Sequence, residues 1–76
     1  MQSVNPVCLN FGKILRRHRE ARGLSQEKLA DIAGLHRTYL GGLERGERNP
    51  TLTSILRVCE ALAIAPSQLF ADMDEG

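Results

Sequence analysis

The sequence predicts an all-α fold of five short helices, and three observations carry that prediction. Apolar residues recur at helical spacing along the chain, no stretch alternates with strand period, and Gly, Ser, Thr or Pro stands at most of the expected helix boundaries. At 76 residues the chain suits one compact domain. With 42% apolar and 25% charged residues it has the composition of a globule rather than of a disordered chain. Phe11, Tyr39 and Phe70 are its only aromatic residues, so Leu, Ile, Val and Ala must fill the core.

Phe11, Ile14, Leu15 and His18 place the first helix from Asn10 to about Arg22, with Gly23 suited to the left-handed position that closes it. Arg19 and Arg22 in its last turn complement the helix dipole. Residues 1–9 read as an N-terminal segment. Ser25 caps a second helix, Gln26 to Ala33, with Leu29, Ile32 and Ala33 as its core face and Gly34 as its stop. A third helix runs from Arg37 to Arg45, less well capped by His36 and ended by Gly46. Pro50 disfavours helix at Asn49, so residues 47–50 form a turn. Thr51 caps a fourth helix, Leu52 to Leu62, and Pro66 opens a fifth that ends near Ala71. The domain is expected over 10–71, with 72–76 an acidic tail that frays.

Several function classes fall away at this level. No run reaches the ~18–20 apolar residues of a membrane span, and the N-terminus lacks a signal pattern, so a cytoplasmic protein is expected. Cys8 and Cys59 have no CxxC partner and read as reduced, small apolar groups. No metal and no cofactor is expected, for want of ligand spacing or a phosphate loop. Neither His18 nor His36 has a Ser, Cys or acid at a catalytic spacing, so an enzyme is not expected. The net charge of +1 conceals an asymmetry: residues 1–50 hold nine Lys and Arg against five acids, and residues 51–76 hold Arg57 against four. Such a balance suits a polyanion-facing first part or an ordinary solvated surface, and charge alone leaves both open.

The second and third helices, joined by Gly34-Leu35-His36, have the helix-turn-helix arrangement, in which the second member enters the major groove. On the third helix, Leu40 and Leu43 point towards the core; Thr38, Gly41, Gly42 and Arg45 point away, with Arg37 and Tyr39 on the flanks. A groove ~12 Å wide admits such a helix, and Arg pairs bidentately with guanine there.

The run from Ser25 to Pro50, SQEKLADIAGLHRTYLGGLERGERNP, resembles the Cro/C1-type helix-turn-helix family, also called XRE. That family includes phage repressors and restriction-modification controller proteins. The likeness extends from Phe11 to Phe70, and its RTYLxGLERGxRN pattern is nearest to controllers. It implies a lambda-repressor-like domain and a sequence-specific DNA-binding regulator, a homodimeric repressor or controller on a pseudo-palindromic operator. By the same resemblance Gln26 anchors a phosphate and braces the recognition helix. Arg37, Thr38 and Tyr39 read base edges, although the Tyr39 ring has the alternative of lying on the domain surface. Arg45, Arg48 and Asn49 contact the DNA backbone, and Arg19 with Glu44 forms a structural salt bridge. Three departures qualify the match. Gly41 and Gly42 stand where relatives often carry side chains that reach bases, which shifts reading towards Arg37, Thr38 and DNA shape. His18 replaces an apolar residue and is expected as a satisfied core-edge histidine, and His36 replaces a Ser or Asp cap.

A dimer matches half-sites about one helical turn apart. Leu62, Ile64, Leu69, Phe70 and Met73 are the candidate dimer interface, with closure of the core as the alternative. The expected partners are operator DNA and a second copy, with no membrane, no evident small-molecule ligand and a nucleoid-associated location. The competing class is an antitoxin-like protein-interaction module, which predicts a large exposed apolar patch and tolerates loss of Arg37.

Overall fold

Five helices occupy residues 5–75, the part of the chain described by the computed structural model: α1 (Pro6–Ala21), α2 (Gln26–Ala33), α3 (Arg37–Glu44), α4 (Leu52–Leu62) and α5 (Pro66–Glu75). The first helix begins four residues before the expected Asn10. Asn5 accepts a hydrogen bond from the Val7 N–H at 2.8 Å, and Pro6 sits at the first helical position, where its missing donor costs nothing. The apolar pattern hid this start because Val7 there is 64% exposed. The expected segment 1–9 is therefore helical from Pro6 onward, and its residues 1–4 lie outside the described part.

The Ser25 and Thr51 caps form as expected, accepting from the N–H groups of Lys28 and Ser54 at 3.0 Å. Helices α1 to α4 each close on a left-handed residue: Gly23, Gly34, Gly46 and, at the end of α4, Ala63 with φ +55°. A side chain there is strained, and the hydrogen bond from the Ile64 N–H to the Cys59 carbonyl at 3.0 Å holds the turn.

Ten side chains close the core completely: Phe11, Ile14 and Leu15 from α1, Leu29 from α2, Leu40 and Leu43 from α3, Val58, Cys59 and Leu62 from α4, and Leu69 from α5. Each large apolar group buried this way stabilises the fold by roughly 1.5–3 kcal/mol. Leu62 and Leu69 thus belong to the core, and the expectation that they form a dimer interface is corrected: no area on them is left for a partner. Ile32 was expected inside, yet it is half exposed, and Ala30 takes its place because α2 turns a narrower face to the core.

Gly12 permits the closest approach of α1 to α3. A Cβ there would lie 2.5 Å from the Glu44 carbonyl oxygen, so only glycine fits. At the far end, α5 does not stop near Ala71 but continues through Glu75, so the acidic stretch expected to fray is helical. Asp72 lies 2.7 Å from His18 Nε2, and the Asn10 amide donates to the Met73 carbonyl at 2.9 Å. Those two contacts tie the last turns to α1. His18 is accordingly satisfied at the core edge. Among the described residues no single helix is long and apolar enough to cross a membrane.

Candidate nucleic-acid interface

Recognition of DNA by a helix requires that the helix be held rigidly and that its outer face carry free donors. The first requirement is met by charges inside the molecule. Glu44, at the end of α3, accepts from Arg19 Nε at 2.7 Å and Arg19 Nη2 at 3.1 Å, and from Gln26 Nε2 at 3.0 Å. Arg19 Nη1 donates to the Leu24 carbonyl at 2.7 Å. Both members of the pair are more than 90% buried, and no buried polar side-chain atom lacks a partner among the described residues. The hydrogen bond to Glu44 raises the Arg19 pKa above its ordinary value, against the opposing effect of burial. Helices α1, α2 and α3 are thereby locked at one point, with Gln26 bracing α3 as expected.

A second brace joins α3 to α4. Ser54 is buried and its hydroxyl donates to the Thr51 carbonyl at 2.9 Å, so the Tyr39 hydroxyl, 3.1 Å from Ser54 Oγ, is the donor of that contact. Of the two expectations for Tyr39, the ring lying on the domain is the arrangement found, half-buried with its hydroxyl engaged. Ser54 was not singled out from the sequence. The signal available was a lone hydroxyl on the otherwise apolar inward face of α4.

Outside, Arg37 and Thr38 stand exposed on the first turn of α3. His36 makes no side-chain cap bond, so the N-terminal amides of the helix are left unused by it. Gly41 and Gly42 were expected to present bare backbone outward. Instead they are covered: a Cβ on Gly41 would meet Arg45 Nη1 at 3.0 Å and Gln26 Oε1 at 3.6 Å, and one on Gly42 would meet Arg48 Cγ at 2.8 Å. Two arginines lie across the helix here: the guanidinium of Arg45 covers Gly41, and the stem of Arg48 covers Gly42. Arg45 Nε also reaches the exposed Glu47 at 3.0 Å. Arg37 at the start of α3 and Arg45, Arg48 and Asn49 just beyond its end are all exposed, and no group of three His, Cys, Asp or Glu could hold a metal among the described residues. Cys8 and Cys59 are buried and free, and burial pushes the Cys59 thiol pKa up.

The helix-turn-helix family profile matches residues 15–69, most of the chain and all of this apparatus. The chain belongs to the Cro/C1-type helix-turn-helix family. Within that family it is 52% identical over 48 residues to control protein C.SmaI of Serratia marcescens, a match covering 63% of this chain and 57% of that protein. It is 42% identical over 66 residues to control protein C.BamHI of Bacillus amyloliquefaciens, covering 86% of this chain and 82% of the relative. Among solved structures, the restriction-modification controller protein C.AhdI from Aeromonas hydrophila superposes with a TM-score of 0.81 at 52% identity, covering 83% of this chain and 96% of that one. The controller protein C.Esp1396I, solved as a tetramer with its natural 35 base-pair operator, superposes with a TM-score of 0.87 at 27% identity, covering 93% of each chain. Family membership places this chain among helix-turn-helix transcription regulators.

Proposed function

We propose that this protein is a sequence-specific DNA-binding transcriptional regulator of the controller type, acting as a homodimer on a pseudo-palindromic operator. The observation that carries the reading is the exposed Arg37-Thr38 pair on the first turn of an α3 held by the Arg19–Glu44–Gln26 network. Placed in a major groove, Arg37 reaches guanine O6 and N7, and Thr38 offers a hydroxyl or a methyl to the neighbouring pair. Tyr39 contributes mainly by fixing α3 against α4. Arg45, Arg48 and Asn49, with Gln26 at the start of α2, fall along the flanking sugar-phosphate backbone. Such a protein binds rather than catalyses, needs no cofactor and works in the cytoplasm on the nucleoid. An interaction module would have no use for the exposed Arg37, which favours DNA over that alternative.

The test is Arg37→Ala, measured on the duplex that the wild-type protein prefers and on its single-base variants. The expected loss is about 1–3 kcal/mol on the preferred duplex, with discrimination relaxed at one base pair per half-site. An equal loss on every duplex would refute base reading by Arg37.

A further inference from the structure

The turn that leaves α3 carries an acid that DNA binding does not call for. Glu47 stands in the chain between Arg45 and Arg48, both assigned above to the sugar-phosphate backbone. Its place is fixed by backbone. Gly46, left-handed with φ +77°, reverses the chain, and the Glu47 N–H donates to the Gly42 carbonyl at 2.9 Å. A Cβ on Gly46 would lie 2.8 Å from the Leu9 Cα, so the turn is also pressed against α1. The Glu47 carboxylate thereby meets Arg45, its Oε2 accepting from Nε at 3.0 Å.

The other end of that arginine is placed as well. Arg45 Nη1 lies 3.0 Å, and Gln26 Oε1 3.6 Å, from the point where a Gly41 Cβ would stand. Gln26 donates its Nε2 to Glu44, which leaves its carbonyl oxygen on the Gly41 side. The guanidinium is therefore held over the middle of α3 and beside the first residue of α2 before any DNA arrives. With its side chains 56% and 55% exposed, the Arg45–Glu47 pair does little for stability. Its consequence lies in binding. A phosphate that takes Arg45 must displace the carboxylate, which stays tethered nearby, and the pair together brings no net charge to the phosphate.

We infer that Glu47 is an intramolecular stand-in for a DNA phosphate: it positions Arg45 and sets the strength and salt dependence of DNA binding by competing for it. The inference rests on the regulator reading above and names a residue that tunes it. Because the competition concerns backbone alone, it weakens binding to every duplex by the same factor and leaves base reading by Arg37 and Thr38 untouched.

Glu47→Gln, Arg45→Gln and the double variant test it, each titrated from ~50 to ~200 mM salt with the duplex the wild-type chain prefers and with an unrelated duplex. Glu47→Gln is expected to tighten binding to both at least about twofold per protomer, and to steepen the log K against log salt slope by about one unit per protomer. Arg45→Gln should weaken binding to both, and adding Glu47→Gln to it should restore neither affinity nor slope. A Glu47→Gln variant that matches the wild-type chain in affinity and slope overturns the inference and leaves the regulator standing. An equal gain with Arg45 already replaced overturns it too, since the acid then acts by plain repulsion. A folded wild-type chain that binds neither duplex at ~50 mM salt overturns both readings.

Discussion

Glu44 illustrates how residues near a recognition helix can be misassigned. Its carboxylate takes three hydrogen bonds in a buried setting, and removing it strands the Arg19 charge. Glu44→Ala is therefore expected to cost about 3–5 kcal/mol in urea unfolding, and any loss of DNA binding would follow from the fold. Arg19 itself adds no pH dependence in the working range. Its folded pKa is raised, so the stabilisation is complete below the unfolded value, itself far above any working pH, and is lost only as pH rises from there through the folded value. Arg48 behaves differently, because it is exposed and its stem lies over Gly42. Arg48→Ala should weaken binding to all duplexes alike and make log K less salt-dependent, by about one unit of slope for each phosphate no longer neutralised. An unchanged slope would take Arg48 out of the phosphate-binding set.

The elements contain two glycines of opposite meaning. Gly12 faces backbone across the α1–α3 contact, where nothing can yield, and Gly12→Ala should destabilise by about 2–3 kcal/mol. Gly41 faces the end of the flexible Arg45 side chain, and alanine has the better helix propensity. Gly41→Ala should raise stability by about 0.5–1 kcal/mol in the same unfolding assay, as Arg45 swings aside. Sequence pattern could not separate these cases. Gly12 sits inside a regular apolar period with no mark of the helix opposite it, and Gly41 looked bare because the side chains covering this stretch of α3 come from Arg45 and Arg48, beyond the helix end. The caps were legible, since Ser25, Thr51 and the glycine stops act through adjacent backbone alone. The true ends of α1 and α5 were not: Asn5-Pro6 precedes an exposed turn, and Asp72 is held by His18 from the other end of the chain.

At the scale of the whole molecule, the five-helix order and the pairing of α2 with α3 were readable because both follow from local spacing. The division of α4 and α5 between core and surface was not, since Leu69 and Phe70 are both large and apolar and only the neighbours that surround them after folding bury one and leave the other half exposed. One global property follows from the core. Burial raises the Cys59 pKa, so the folded state keeps that proton longer than the unfolded chain does. The resulting stabilisation is present below the unfolded thiol value of about 8.5 and declines as pH rises through and above it. Thermal midpoints should fall over that window in the wild-type chain, and fall less in Cys59→Ala measured against its own value at neutral pH. The central claim is that two copies of α3 read one two-fold site. Selection of binding sites from a random duplex pool at ~150 mM salt tests it most directly. Enrichment of a two-fold-related motif with half-sites about 10 base pairs apart is the expected result. No enrichment from demonstrably folded protein, or a motif without two-fold symmetry, would contradict it.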